Sequence, residues 1–177
     1  WWGRACVGTG ARPGDVIAVS GTLVDACAAR DYSNETSPSP DVAAVLDRYH
    51  SPQPRLVLGQ AVRGIASAEV DMSDGLLADL GHILKASGVG ASIDSARLPL
   101  SLPLKRLKGE GAPGLALRAG DDYELCLTIP TERWGQAPQE VRQQLSVIGV
   151  VEASPGLILD GRLCDADDGF DHFRSRP

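Results

Sequence analysis

The chain reads as an α+β domain in which helices flank a mixed β-sheet. Segments with strand periodicity interleave with segments whose apolar residues recur at helical spacing. Some neighbouring strand segments are joined by turns too short for a parallel crossover, so the sheet is not purely parallel. With 177 residues, 43% of them hydrophobic and 23% charged, the chain has apolar mass for one sizeable core. That mass excludes wholesale disorder, and the composition is neither collagen-like nor that of a disulfide scaffold.

Each element has its own signal. Residues 15–20 (Asp-Val-Ile-Ala-Val-Ser) follow the Pro13-Gly14 turn and read as a buried strand stopped by Gly21. Residues 31–40 are polar and proline-bearing, a loop. Ser39-Pro40-Asp41 has N-cap, N1-proline and acidic first-turn chemistry, and Val42, Val45, Leu46 and Tyr49 give helix 41–49 one apolar face. Pro52 and Pro54 break it, and a second helix is expected over 55–66 through Leu58, Val62 and Ile65. Val70-Asp71-Met72 is a short strand. The helix after it carries the stripe Leu76, Leu80, Ile83 and Leu84 and ends at Gly88. Ala91–Ile93 starts another strand, and 97–119 reads as irregular with short helices. Tyr123, Leu125, Leu127 and Ile129 alternate with polar or small residues, the period of a half-buried strand. Residues 139–145 form a short helix, and strands 147–151 and 157–159 are joined by a turn at Ser154-Pro155-Gly156.

Seventeen basic against twenty-three acidic residues give a net charge of −6 without a basic run. A nucleic-acid partner is not expected, because phosphate neutralisation needs clustered Lys and Arg. No apolar run approaches the roughly 20 residues of a membrane span, and no signal peptide is recognised, so no membrane partner and a cytoplasmic location are expected. Cys6, Cys27, Cys126 and Cys164 contain no CxxC pair and read as small hydrophobes rather than a zinc site. The chain starts Trp1-Trp2-Gly3 and its only methionine is Met72, so it is expected to be part of a longer protein.

Three segments carry chemistry. In Glu69-Val-Asp-Met-Ser-Asp-Gly-Leu, Asp71 and Asp74 are hard oxygen donors at a strand end. Ser73 and the first helical amides are donors suited to an anion, and together they would hold a magnesium polyphosphate. The simpler alternative is that Ser73 or Asp74 only caps the helix. Gly120-Asp121-Asp122-Tyr123-Glu124 places three acids in four positions, either for a cationic ligand or as a solvated turn. Asp168-Gly-Phe-Asp-His-Phe173 is either a site segment or a tail docked by Phe170 and Phe173. His82 reads as structural, inside a leucine-rich helix. No GxSxG, P-loop or HExxH motif occurs.

These motifs resemble thiamine-monophosphate kinase. The resemblance lies in Asp71-Met-Ser-Asp-Gly-Leu-Leu-Ala-Asp-Leu-Gly-His-Ile, Gly120-Asp-Asp-Tyr-Glu-Leu-Cys, Tyr49-His-Ser-Pro-Gln-Pro-Arg, Gly10-Ala-Arg-Pro-Gly-Asp-Val-Ile-Ala-Val-Ser-Gly-Thr-Leu and Gly169-Phe-Asp-His-Phe, in family order. It implies a fold like the C-terminal domain of aminoimidazole ribonucleotide synthetase. Residues 1–177 would then form a single C-terminal domain, with the family's N-terminal half absent and catalysis by this piece alone not expected. The implied activity is ATP- and Mg²⁺-dependent phosphorylation of thiamine monophosphate to thiamine diphosphate, by a homodimer in the full-length protein. Carried across by position, Asp71 and Asp74 match metal ligands, Ser73 an ATP contact, and Asp121 and Phe170 substrate contacts. No catalytic residue is assigned. Gly8 stands where the family has an ATP-contacting Arg, and Asp121 where it usually has Glu. A non-catalytic ligand-binding remnant and another ATP-using synthetase of the superfamily are the competing readings.

Overall fold

A computed structural model of the chain describes residues 8–164. The strands are β1 (Val16–Ser20), β2 (Ala68–Met72), β3 (Gly90–Ile93), β4 (Glu124–Ile129), β5 (Leu145–Glu152), β6 (Gly156–Leu159) and β7 (Arg162–Cys164). The helices are α1 (Asp25–Ala29), α2 (Pro40–His50), α3 (Leu56–Ala61), α4 (Leu76–Ser87), α5 (Leu102–Lys108), α6 (Ala112–Arg118), α7 (Thr131–Gln136) and α8 (Gln139–Arg142). The strands form one mixed sheet in the order β2-β4-β1-β5-β3-β6-β7, antiparallel except for the parallel β3–β6 pair. The expected α+β class is what the fold shows. No helix among the described residues is long and apolar enough to cross a membrane.

The apolar run of β1 follows from its place between β4 and β5, where both faces are covered. On one face Ile17, Val19, Met72, Cys126 and Ile148 pack against Leu76, Leu80 and Ile83 of α4 and Leu104 of α5. On the other, Ala18, Leu127 and Ile129 meet Leu58, Val62 and Val141. Each buried Leu or Ile contributes roughly 1.5–3 kcal/mol. Helix α2 starts as its sequence dictates, with Ser39 Oγ accepting from the Val42 amide at 3.3 Å and Pro40 in the first turn. Helix α4 ends at Gly88 in the left-handed region, φ 69°, whose amide bonds back to the carbonyls of Leu84 and Lys85.

Several expectations are corrected. The helix expected over 55–66 stops at Ala61, and β2 starts two residues earlier than expected, at Ala68. Residues 97–119 hold two short helices, α5 and α6, as expected. Helix 139–145 shrinks to four residues, and α1, α7 and β7 had no expectation because each is too short to show a period. Strand β4 is not half-buried: it lies between β2 and β1, and Glu124, Cys126, Leu127, Thr128 and Ile129 are all fully buried.

Strands β5 and β6, joined through Ser154-Pro155, do not pair with each other; β3 lies between them. The turn therefore passes across the start of β3, and Gly90 makes this possible. A Cβ there would lie 2.0 Å from the Ser154 carbonyl oxygen and 2.6 Å from that of Gly156. Gly90→Ala is expected to destabilise the domain by about 3 kcal/mol. Gly81→Ala, mid-helix in α4 with nothing within 4 Å, should stabilise it by roughly 0.5–1 kcal/mol. Urea titrations of both variants check the pair; equal midpoints would refute the crossing argument.

Candidate active site

The β2–α4 junction carries the first motif. Its N-cap position is Gly75, φ 113°, which offers no capping side chain. The cap comes instead from inside the helix: Asp79 Oδ2 accepts the amides of Ser73, Asp74 and Gly75 at 3.0, 3.0 and 3.1 Å. Asp79 is only 3% exposed, and burial raises its pKa, a rise its three amide donors oppose. The three amides just ahead of the helix are thus engaged within the chain itself. The signal was present: Asp79 lies on the apolar stripe, three residues after Leu76 and four before Ile83.

The second motif closes onto the first through backbone. The Asp121 amide donates to the Ser73 carbonyl and the Tyr123 amide to that of Met72, each at 3.1 Å. Two glycines permit the approach. A Cβ on Gly120 would sit 1.9 Å from the Ser73 oxygen, and one on Gly75 would sit 2.8 Å from the Arg118 oxygen. Asp121 and Tyr123 take φ of 69° and 52°, the left-handed region that non-glycine residues rarely adopt.

Glu124 ends that loop and is 0% exposed. Arg55 grips it with both prongs, Nε to Oε2 at 2.7 Å and Nη2 to Oε1 at 2.6 Å, while Arg48 Nη2 reaches Oε1 at 2.7 Å. Ser20 donates its hydroxyl to Oε2 and accepts the Leu125 amide at 2.9 Å. Gly21 has no side chain because Glu124 Oε1 would stand 2.1 Å from its Cβ. The hydrogen bond to Glu124 holds the Arg55 pKa above its ordinary value. Three family-like segments, Ser20-Gly21, Tyr49–Arg55 and Gly120–Leu125, therefore converge on one carboxylate that sequence reading left unassigned.

Asp122 accepts the Val24 amide at 2.6 Å, and Val24 is itself left-handed at φ 59°. Burial pushes the Asp122 pKa up to about 8. The Val24 amide opposes this, the nearby Asp25 and Glu124 charges add to it, and Arg48 opposes it. Cys126 behaves as the expected small hydrophobe: burial raises its thiol to about 12.

The sequence-derived site residues divide. Asp71 lines an open groove of about 740 Å³ with Arg55, Arg63, Glu69 and Tyr123, walled by Pro52 and Leu56. Burial raises its pKa, and the Asp79 and Glu124 charges add to the rise. Asp74 lies with Asp79 and His82, their ligand atoms within 4.8 Å of one another. His82 is exposed, not a core histidine. Ser73 joins the two motif loops through its backbone. Asp121 is brought to the same junction, but its carboxylate faces Arg30 at 3.5 Å, an exposed pair. Phe170, with Asp168 and Phe173, lies outside the described residues, as does Cys6.

Asp122→Asn keeps an oxygen for the Val24 amide and removes the titration. Because the folded pKa stands above the ordinary value of 3.8, the native state holds the proton longer, and stability falls as pH rises between the two values. The variant's stability advantage over the parent should therefore grow from about pH 4 to about pH 8, at most ~1.4 kcal/mol per pH unit, then level off. Thermal melts across pH 4–9 check this, and a constant difference would refute it.

Known proteins share this fold. The family model described as AIR synthase related protein, C-terminal domain, matches residues 12–162. Thiamine-monophosphate kinase of Salmonella typhimurium (strain LT2) is 41% identical over 182 residues, covering 97% of this chain and 56% of the relative. Among solved structures, thiamine-monophosphate kinase from Stenotrophomonas maltophilia K279a superposes with a TM-score of 0.85 at 38% identity, covering 92% of this chain and 55% of that one. AaThiL complexed with AMPPCP and TMP gives 0.81 at 34% identity, covering 90% and 52%. The chain spans about half the length of the curated relatives it matches. A family match across nearly all the described residues, on a seven-stranded mixed sheet, leads to one conclusion: the chain belongs to the AIR synthase related protein family, as its C-terminal domain.

Proposed function

We propose that this chain is the C-terminal half of a thiamine-monophosphate kinase, which transfers the terminal phosphoryl group of ATP to thiamine monophosphate. The observation that carries the reading is the backbone interlock of the Asp71–Gly75 and Gly120–Glu124 loops beside an open groove. The similarity of the chain to thiamine-monophosphate kinases supports it, as does the complex of AaThiL with AMPPCP and TMP. By the same resemblance the whole protein is a cytoplasmic homodimer.

Phosphoryl transfer asks a protein mainly for positioning and charge neutralisation. The carboxylates suit Mg²⁺: they are hard oxygen donors, and Asp71, with its raised pKa, stands beside like charges and lacks an ion-pair partner among the described residues. Asp71 and Asp74 would hold Mg²⁺, which supplies charge neutralisation at the polyphosphate. Ser73, at the loop tip, would contact ATP through its hydroxyl, since its amide serves Asp79. Asp121 and Phe170 would face the cationic ring of the substrate. The left-handed loop and its backbone bonds would hold Asp121 beside Ser73.

In the full-length protein, Asp74→Asn should lower turnover by a hundredfold or more, about 3 kcal/mol of transition-state stabilisation, while the melting temperature stays close to the parent's. Asp79→Asn, which weakens the internal cap, should instead lower the melting temperature. Full turnover by the Asp74 variant at limiting Mg²⁺ would overturn the metal assignment. The raised pKa of Asp71 means that protons compete with the cation at higher pH than at an ordinary aspartate. The Mg²⁺ needed for half-maximal rate should therefore increase as pH is lowered, which Mg²⁺ titrations at several pH values measure.

A further inference from the structure

The Asp121 carboxylate has two claimants. The kinase reading gives it to the cationic ring of the substrate, whereas in the chain itself it faces the Arg30 guanidinium, Nη1 to Oδ2 at 3.5 Å. Both side chains are open to water, Arg30 58% and Asp121 47% exposed. The acid is aimed from its backbone, whose φ of 69° and amide bond to the Ser73 carbonyl at 3.1 Å fix where the side chain starts. The cation comes from a separate element. Arg30 opens the short 3₁₀ turn at Arg30–Tyr32 that continues α1, and its carbonyl accepts the Ser33 amide at 3.4 Å and the Ser33 hydroxyl at 3.1 Å.

Neighbouring charges leave Arg30 this one acid. Burial raises the Cys27 thiol pKa, Arg30 opposes the rise, and Asp122, Asp121 and Asp31 add to it, so Arg30 and these three acids surround one turn of chain. Asp31 is already paired with Lys108. Asp122 accepts the Val24 amide at 2.6 Å, and its burial keeps the proton on it well above the ordinary carboxylate range. Glu124 is enclosed by Arg48 and Arg55. Asp121 is the acid left with an open charge. An exposed pair of this kind is weak, because water screens both charges and the arginine gives up rotamer freedom to make it. A ligand cation can therefore break it, returning a well-solvated guanidinium to water.

We propose that Arg30 is a built-in competitor of the substrate: its guanidinium occupies the Asp121 carboxylate until a cationic ring displaces it, which weakens binding of that substrate and leaves the nucleotide untouched. This rests on the kinase reading above and adds a specificity-determining residue to it. Arg30 lies outside every segment that carries the family resemblance. A purely structural pair has the opposite sign, since losing it would loosen Asp121 and weaken substrate binding.

The test uses the full-length protein with ATP, Mg²⁺ and thiamine monophosphate. Arg30→Gln should lower the KM for thiamine monophosphate about twofold to fivefold, the reach of an exposed ion pair. The KM for ATP, kcat and the melting temperature should stay at the parent's values. Arg30→Lys keeps a cation within reach and should retain the parent's KM. In an Asp121→Asn background, Arg30→Gln should change nothing, because the two effects act through one contact. An unchanged or raised KM in Arg30→Gln, an equal fall for ATP, the same fall in Arg30→Lys, or a fall that survives in the Asp121→Asn background would each overturn the competitor. Phosphorylation of thiamine monophosphate with the KM unmoved in Arg30→Gln leaves the kinase reading standing without it. If the parent phosphorylates nothing, the kinase reading falls, and calorimetry with thiamine monophosphate decides the competitor alone. Tighter binding by Arg30→Gln supports it, and equal or weaker binding overturns it.

Discussion

A carboxylate taken out of water must be surrounded by donors or protonated, and in this domain that requirement falls on Glu124. Leaving water costs several kcal/mol per ion, and three side chains with four hydrogen-bonding contacts offset it. Those side chains come from the end of β1, from α2 and from the segment leading into α3, so satisfying one group fixes three stretches of backbone. Arginine suits both cationic positions because its planar fork meets a carboxylate in two places at once, which lysine's single ammonium does not. Removing Glu124 would strand two guanidiniums together, and removing either arginine would leave a buried charge under-satisfied. The cluster therefore behaves as a unit, and single substitutions within it should not add.

Around that cluster the loops divide their work. Backbone atoms make the contacts between loops, with Gly75 and Gly120 thinned to allow it. The backbone that carries Asp71 and Asp74 is held by these contacts between loops. Of the four left-handed non-glycine residues among those described, Val24, Asp121 and Tyr123 adjoin the Glu124 cluster or the loop leading into it, and Asp160 lies in the β6–β7 turn. Conformations that cost of order 1–3 kcal/mol each persist only where surrounding contacts over-determine them. Here the interlock and the buried ion cluster do so.

Sequence legibility followed the reach of each signal. Helix α4 was plain because a four-residue stripe and a terminal glycine agree. Strand β1 was plain because an apolar run between turn residues has few other readings. Short elements such as α1 and β7 lack the length to show any period. Strand β4 misled, since polar and apolar residues alternate there as on a half-exposed strand, while Glu124 and Thr128 are buried with partners 61–104 positions away. The same distance hid Glu124. Its neighbours in the motif were picked out as acids for a ligand, whereas its own ligands are arginines of this chain. Asp79 was more accessible: an acid on an apolar stripe needs donors, and the nearest unsatisfied ones were the amides just ahead of the helix.

The central place of β1 also bears on how the protein is made. Its neighbours in the sheet are β4 and β5, and Val16 pairs with Val150, more than a hundred positions later in synthesis. At about 5–20 residues per second, this apolar strand emerges from the ribosome on the order of ten seconds before the sheet can close around it. During that interval its edges are unpaired and its side chains wet, the state in which strands recruit wrong partners. Nascent chains of this domain are accordingly natural clients for holding chaperones, and overproduction that outpaces them leads toward inclusion bodies even though the finished fold buries Ile17, Ala18 and Val19 completely.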